Sequence, residues 1–251
     1  MMMSTGKAEI RADFIKRLFA VAVSVGFAST VSKMEWITEQ SLPTTEEINE
    51  LIVLSMALMA TFLSWDGYLA SINRKPLNDT PRFWIDIVLV FVYMLLLLTA
   101  SSNWLWLPLL CLVFTLYVIW DVLSIRLHYS KFVSEETGAT VPENGAEFRV
   151  RLPTVGKVYL YPFIGRKEYK AGPLISLMWA GYFFGMLYIS AHFPSLSGNS
   201  WMCFFAMAGL MLYRDDKHHC YSTLKRLSVI FFVLAVLSTI LYINQVNQTF
   251  I

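Results

Sequence analysis

Long uncharged apolar runs recur along this chain, and a run of that kind leaves a polypeptide few places to go. A bilayer core about 30 Å thick takes roughly 20 mainly apolar residues as a helix, and inside lipid the backbone must satisfy its own hydrogen bonds. Seven such runs stand between charged punctuation, at about residues 14–31, 51–72, 83–99, 104–125, 173–193, 201–213 and 227–243. The sixth is barely long enough unless residues 196–200 join it. Composition points the same way: 56% of residues are hydrophobic and 15% charged, against about 45–50% and about 25% in a soluble domain. The expected fold is therefore an all-α integral membrane bundle of seven transmembrane helices. The first run lacks a signal-peptide cleavage pattern and reads as a retained span, with Lys16 and Arg17 able to snorkel from its start.

The other bulk features exclude more than they assign. The three cysteines are odd in number and unpaired in spacing, which suggests neither a disulfide framework nor a zinc ribbon. A net charge of +2 gives no basis for nucleic-acid binding. The GxSxG, HExxH and P-loop patterns do not occur, and the two halves of the chain do not repeat one another. No cofactor is expected.

Orientation follows from lysine and arginine bias in short loops. Lys7, Arg11, Lys16 and Arg17 precede or open the first run, whereas the following loop holds Lys33 among Glu35, Glu39, Glu46, Glu47 and Glu50. The amino terminus is then cytosolic. Alternation from there puts Arg74, Lys75 and Arg82, the polar segment 126–172 and the stretch RDDKHHCYSTLKR on the cytosolic side, and the carboxyl terminus outside. Every basic connector falls on one face, and removing the sixth run would break that agreement. The expected location is a plasma or inner membrane.

This topology gives three carboxylates a common depth. At 1.5 Å per residue, Asp66 lies about 9 Å from the end of its run, Asp86 about 6 Å into the next and Asp121 about 6 Å from the end of the fourth. Arg17, Arg74, Lys75, Arg82 and Arg126 fall at the same level, so acids and bases are expected to share a polar layer near the cytosolic face. Paired charges there cost far less than a lone charge at the bilayer centre. Packing and anchoring explain such a layer. So does a vestibule or ring of carboxylates that draws cations or carries protons. Trp65, Tyr68, Trp84 and Trp120 suit an interfacial aromatic belt.

Local signals mark the connections. Thr44 or Thr45 with Glu47 resembles a capping box at the start of the second span, and Asp79 or Thr80 followed by Pro81 suits the start of the third. The first span carries two rows of small residues, Ala20, Ser24, Ala28 and Ala22, Gly26, Thr30, which permit close helix approach within the chain or between copies. Ala180, Gly181 and Gly185, with Ala206, Ala208 and Gly209, offer the same choice further on.

The chain thus divides into residues 1–126, an N-terminal four-helix membrane region, residues 127–172, a cytosolic insertion, and residues 173–251, a C-terminal three-helix membrane region. Within the insertion EFRVRL and KVYLYP flank the turn-rich PTVG and read as a small β-hairpin, with Arg149, Arg151, Lys157, Tyr159 and Tyr161 as candidate partner-docking residues. The stretch RDDKHHC contains metal-ligand residue types, and Asp215, His218 and His219 are a weak metal candidate because their spacing is poor for a structural zinc site. Its plainer reading is a solvated turn. No catalytic residue is assigned. The function expected from these features is a non-enzymatic, oligomeric pore- or channel-like or membrane-perturbing protein, controlled through its cytosolic face. Two alternatives stand beside it: a membrane anchor or scaffold that recruits a cytosolic protein, and a membrane enzyme or transporter working at the aspartates. The expected partners are the lipid bilayer, further copies of the chain and a cytosolic protein.

Overall fold

The computed structural model describes residues 3–38, 42–74, 80–101, 105–137, 172–192, 200–218 and 222–249. Among them the chain is helical apart from short turns, with no strand. Seven long helices carry it: α1 (Met3–Val31), α2 (Thr45–Arg74), α3 (Thr80–Leu98), α4 (Trp106–Thr137), α5 (Gly172–His192), α6 (Ser200–His218) and α7 (Ser222–Thr249). A single turn of helix, Glu35–Thr38, precedes α2, and a 3₁₀ turn, Thr99–Ser101, follows α3. Four stretches are long and apolar enough to cross a membrane: Ala8–Val31, Thr45–Leu69, Thr80–Leu98 and Trp106–Leu123. A shorter apolar stretch, Leu227–Ile240, lies in α7. The β-hairpin expected near residues 147–161 lies outside the described residues.

Helix ends follow the chemistry of their terminal residues. At the start of α2 the Thr44 backbone N–H and hydroxyl donate to Glu47 Oε2 at 2.7 and 2.8 Å, and the Glu47 N–H returns to Thr44 Oγ1 at 3.3 Å. This reciprocal capping box satisfies donors that the first turn would otherwise leave orphaned. α4 continues to Thr137, past the expected end of its span near residue 125. Nothing in RLHYSKFVSEET breaks a helix, and the first glycine after it is Gly138.

Residue pairs give the helix directions. Arg11 of α1 donates to Thr80 Oγ1 of α3 at 3.1 Å, and Thr30 further along α1 donates to Leu97 O at 2.8 Å, so these two helices run parallel. Their contact is close because Gly26 lies against Leu97: a Cβ there would stand 3.0 Å from Leu97 Cβ and 3.2 Å from Met94 O. α4 and α5 run antiparallel, with Phe114 against Phe183 (4.4 Å between centroids) and Asp121 against Ser176. α5 and α6 are antiparallel too, tied by Tyr182, whose hydroxyl donates to Phe205 O at 3.0 Å, and by Trp179, whose indole N–H donates to Asp216 Oδ2 at 3.1 Å. Gly209 admits the Tyr182 ring, since a Cβ there would be only 2.7 Å from it.

The interior is apolar and spans most of the bundle. Met56, Ala57 and Ala60 of α2, Leu96 and Leu97 of α3, Leu110 and Phe114 of α4, Phe183 of α5 and Met202, Cys203 and Ala206 of α6 form one buried cluster. Ile15, Phe19 and Ala22 of α1 form a second with Leu89, Val90, Val92 and Tyr93 of α3 and Val113 of α4. Outward faces are apolar as well: Val21 and Val25 of α1, Met178 and Phe184 of α5, and Val229, Ile230, Phe232 and Leu237 of α7 are exposed. Apolar inside and out is the pattern of helices solvated by lipid, where close packing rather than hydrophobicity holds the bundle together.

Candidate functional site

The three aspartates singled out by their depth all come to one end of this bundle. Each meets a polar group on a different helix. Asp66 of α2 forms a salt bridge through Oδ2 with Arg214 Nη2 of α6; the arginine side chain is 5% exposed and the aspartate 54%. Asp86 of α3, 3% exposed, accepts a hydrogen bond at Oδ1 from the indole N–H of Trp120 of α4 at 3.0 Å. Asp121 of α4 accepts one at Oδ2 from the Ser176 hydroxyl of α5 at 2.5 Å, a charge-assisted bond of the stronger sort.

A cation and several hydroxyls complete the layer. The buried guanidinium of Arg82 lies over the Trp120 ring, 4.9 Å from its centroid, and acts electrostatically on Asp86 one helical turn along α3. Tyr93 of α3 and Tyr117 of α4 share a hydrogen bond at 2.6 Å, and the Tyr117 hydroxyl also meets Ser64 Oγ of α2. The Tyr117 ring stacks on Tyr213 of α6, centroids 5.6 Å apart, and the Tyr213 hydroxyl lies 3.4 Å from Ser176 Oγ. Side chains from α2, α3, α4, α5 and α6 thus meet in one polar stratum. Because a hydroxyl both donates and accepts, the Ser64–Tyr117, Tyr93–Tyr117 and Ser176–Tyr213 contacts can each run in either direction without the groups moving, while the Ser176 bond to Asp121 runs one way. The arrangement can hold charge, pass a proton or clamp helices.

Not every residue expected in the layer joins it. Arg17 pairs at 2.9 Å with Asp13 on its own helix, and both are exposed; Arg11, not Arg17, connects α1 to α3, lying 5.1 Å over the Phe83 ring as well as bonding Thr80. The backbones of Arg74 and Arg126 lie further along α2 and α4, and their side chains lie outside the described residues. The aromatic belt divides. Trp84 is exposed, Trp65 stacks between Phe19 (4.0 Å) and Tyr68 (5.2 Å), and Trp120 turns inward to Asp86.

RDDKHHC changes character most. Arg214 and Asp215, which open a stretch read as a solvated turn, are buried, because α6 continues through them to His218 and delivers Arg214 into the layer. The sixth apolar run is short for the same reason: its last turns are polar and inward. Among the described residues no group of three potential ligands could hold a metal ion. The His218 side chain and all of His219 lie outside those residues, as do Arg149, Arg151, Lys157, Tyr159 and Tyr161.

Arg214, Ser176 and the tyrosines of α3, α4 and α6 escape sequence reasoning because single polar residues in aromatic-rich spans carry no motif. One signal exists. Gly67 beside Asp66 leaves a notch in α2 in which the Arg214 guanidinium lies, Cζ 3.1 Å from where a Cβ would be. An Asp-Gly pair inside an apolar helix therefore marks the seat of a partner cation.

Fold and layer together define a multi-pass helical membrane protein with a polar interior stratum at one end. Comparison with protein-family models, curated proteins and solved structures finds no match.

Proposed function

We propose that the chain spans a cell membrane seven times with its amino terminus cytosolic, assembles with further copies, and works as a pore- or channel-like protein passing cations or protons. The Asp66–Arg214 pair is its latch. The observation that supports this reading is the asymmetry of that pair: the guanidinium is sealed in the bundle at 5% exposure while the carboxylate stands 54% exposed. Asp66 thus links the packed interior to a surface that a cation can reach, and a cation bound there competes with Arg214 for the same carboxylate. Control enters from the cytosolic segment that carries Arg149, Arg151, Lys157, Tyr159 and Tyr161.

A second reading, a membrane anchor or scaffold, draws on a different observation. Asp66, Asp86 and Asp121 each contact another helix of the same chain, which is also what a purely structural clamp requires. Flux separates the two. Purified protein in liposomes under a potassium gradient is expected to pass potassium or protons above the level of empty liposomes, and Asp66→Asn, checked as folded by gel filtration, is expected to change that rate. Liposomes that stay as tight as empty ones with the wild-type protein would overturn the conduction reading and leave the scaffold.

A further inference from the structure

Asp86 poses a separate problem from Asp66. One of its oxygens, Oδ1, is occupied by Trp120, but Oδ2 is buried and has no hydrogen-bond partner among the described residues. The Tyr68 hydroxyl of α2 is in the same condition, buried and without a partner among them, and it lies within electrostatic reach of Asp86. Buried polar atoms are almost always paired, so two bare ones within electrostatic reach of each other call for a specific cause. An ionised oxygen without a donor is strongly disfavoured out of water. A proton on Oδ2 removes that cost and turns the oxygen into a donor, and the Tyr68 oxygen, equally bare and within electrostatic reach, can accept from it after a small adjustment.

We infer that Asp86 is a proton-binding carboxylate, taking up a proton at Oδ2 and hydrogen-bonding it to the Tyr68 hydroxyl, while Trp120 holds Oδ1 in place. Uptake forms one O–H bond from a proton supplied by water, and release returns that proton to water; no other bond changes and nothing is oxidised or reduced. Trp120 on α4 bonds the carboxyl, and the groups that act on it electrostatically are Arg82 and Tyr93 on its own helix and Tyr68 on α2. Arg82 is held over the Trp120 ring and offsets the charge that each cycle removes and restores. α1 contributes Arg11, which is taken up one turn away by Thr80 and Phe83.

The inference stands apart from conduction and is tested without a gradient. Infrared difference spectra of the detergent-solubilised protein over a pH series are expected to contain a carboxylic-acid C=O band that grows on acidification and is absent from Asp86→Asn. In Tyr68→Phe the band persists but is displaced in frequency, since its hydrogen-bond acceptor is gone; a merely structural Tyr68 would leave it where it was. An Asp86→Asn spectrum identical to wild type at every pH at which the protein stays folded would overturn the assignment. Should Asp86→Asn fail to fold, Tyr68→Phe decides alone, and an unmoved carboxyl spectrum in that variant overturns it equally.

Discussion

At the level of single residues, Gly67 and Asp66 make the sharpest case. Gly67→Ala places a methyl group where the Arg214 guanidinium lies. Because the obstructing atoms are the far end of a flexible side chain, the helices stay in place and the guanidinium moves off. Alanine in a helix interior gains about 0.5–1 kcal/mol over glycine, while the charge-assisted bond given up is worth about 1.5–3 kcal/mol, less for a half-exposed partner. The helix gain offsets only part of that loss, so thermal stability in detergent should fall, though by less than in Asp66→Asn. The coupling between positions 66 and 214, measured by a double-mutant cycle, should fall from about 1 kcal/mol to near zero. The two halves of the pair should also behave unequally. Asp66→Asn strands a guanidinium that is 5% exposed, whereas Arg214→Met strands a carboxylate that is 54% exposed and can rehydrate. Removing one partner of a fully buried pair costs about 3–5 kcal/mol; Asp66→Asn should approach the lower end and Arg214→Met should fall well below it, as unfolding in detergent would measure. Equal losses would show that Asp66 is sealed in the membrane state.

Among helices, the test is which glycines hold a contact. Gly26 of α1 and Gly209 of α6 face a neighbouring helix, while Gly181 and Gly185 of α5 have nothing within 4 Å of where a Cβ would stand. Gly26→Ala is therefore expected to lower stability by about 1–3 kcal/mol through overpacking against Leu97, and Gly181→Ala or Gly185→Ala to be neutral or slightly stabilising. The same contrast explains what could be read in advance. Spacing revealed both small-residue rows of α1, but only Ala22, Gly26 and Thr30 face the bundle; Ala20, Ser24 and Ala28 are exposed. The rows have the same period and nearly the same chemistry, so the choice rests on Leu97 and Met94 of α3, which no local pattern contains. Helix starts were legible for the opposite reason, since the Thr44–Glu47 cap is complete within four residues. The aspartate layer was legible by depth alone, because helical rise converts sequence position into height. Its cross-helix partners were not, because Arg214 lies 148 residues from Asp66.

For the molecule as a whole, the proposed seven spans make the parity of the topology measurable. An odd number puts the two chain ends on opposite sides. With Cys111, Cys203 and Cys220 replaced, single cysteines at Ser4 and Asn247 should react with a membrane-impermeant reagent from opposite faces of oriented vesicles. Labelling of both from one face would remove a span from the count. The result would also decide whether the charged stratum lies under the inner headgroups, as the basic connectors imply.

The parallel alignment of α1 and α3 carries a consequence for biogenesis. Thr30 and Leu97 are 67 residues apart, so at about 5–20 residues per second the first helix waits roughly 3–13 s for its neighbour to emerge from the ribosome. During that interval the Thr30 hydroxyl is not stranded in lipid, because it also donates to Gly26 O of its own helix at 3.0 Å. One side chain thus chaperones its own polar group until the later helix arrives, and the same proton is then shared with the newcomer.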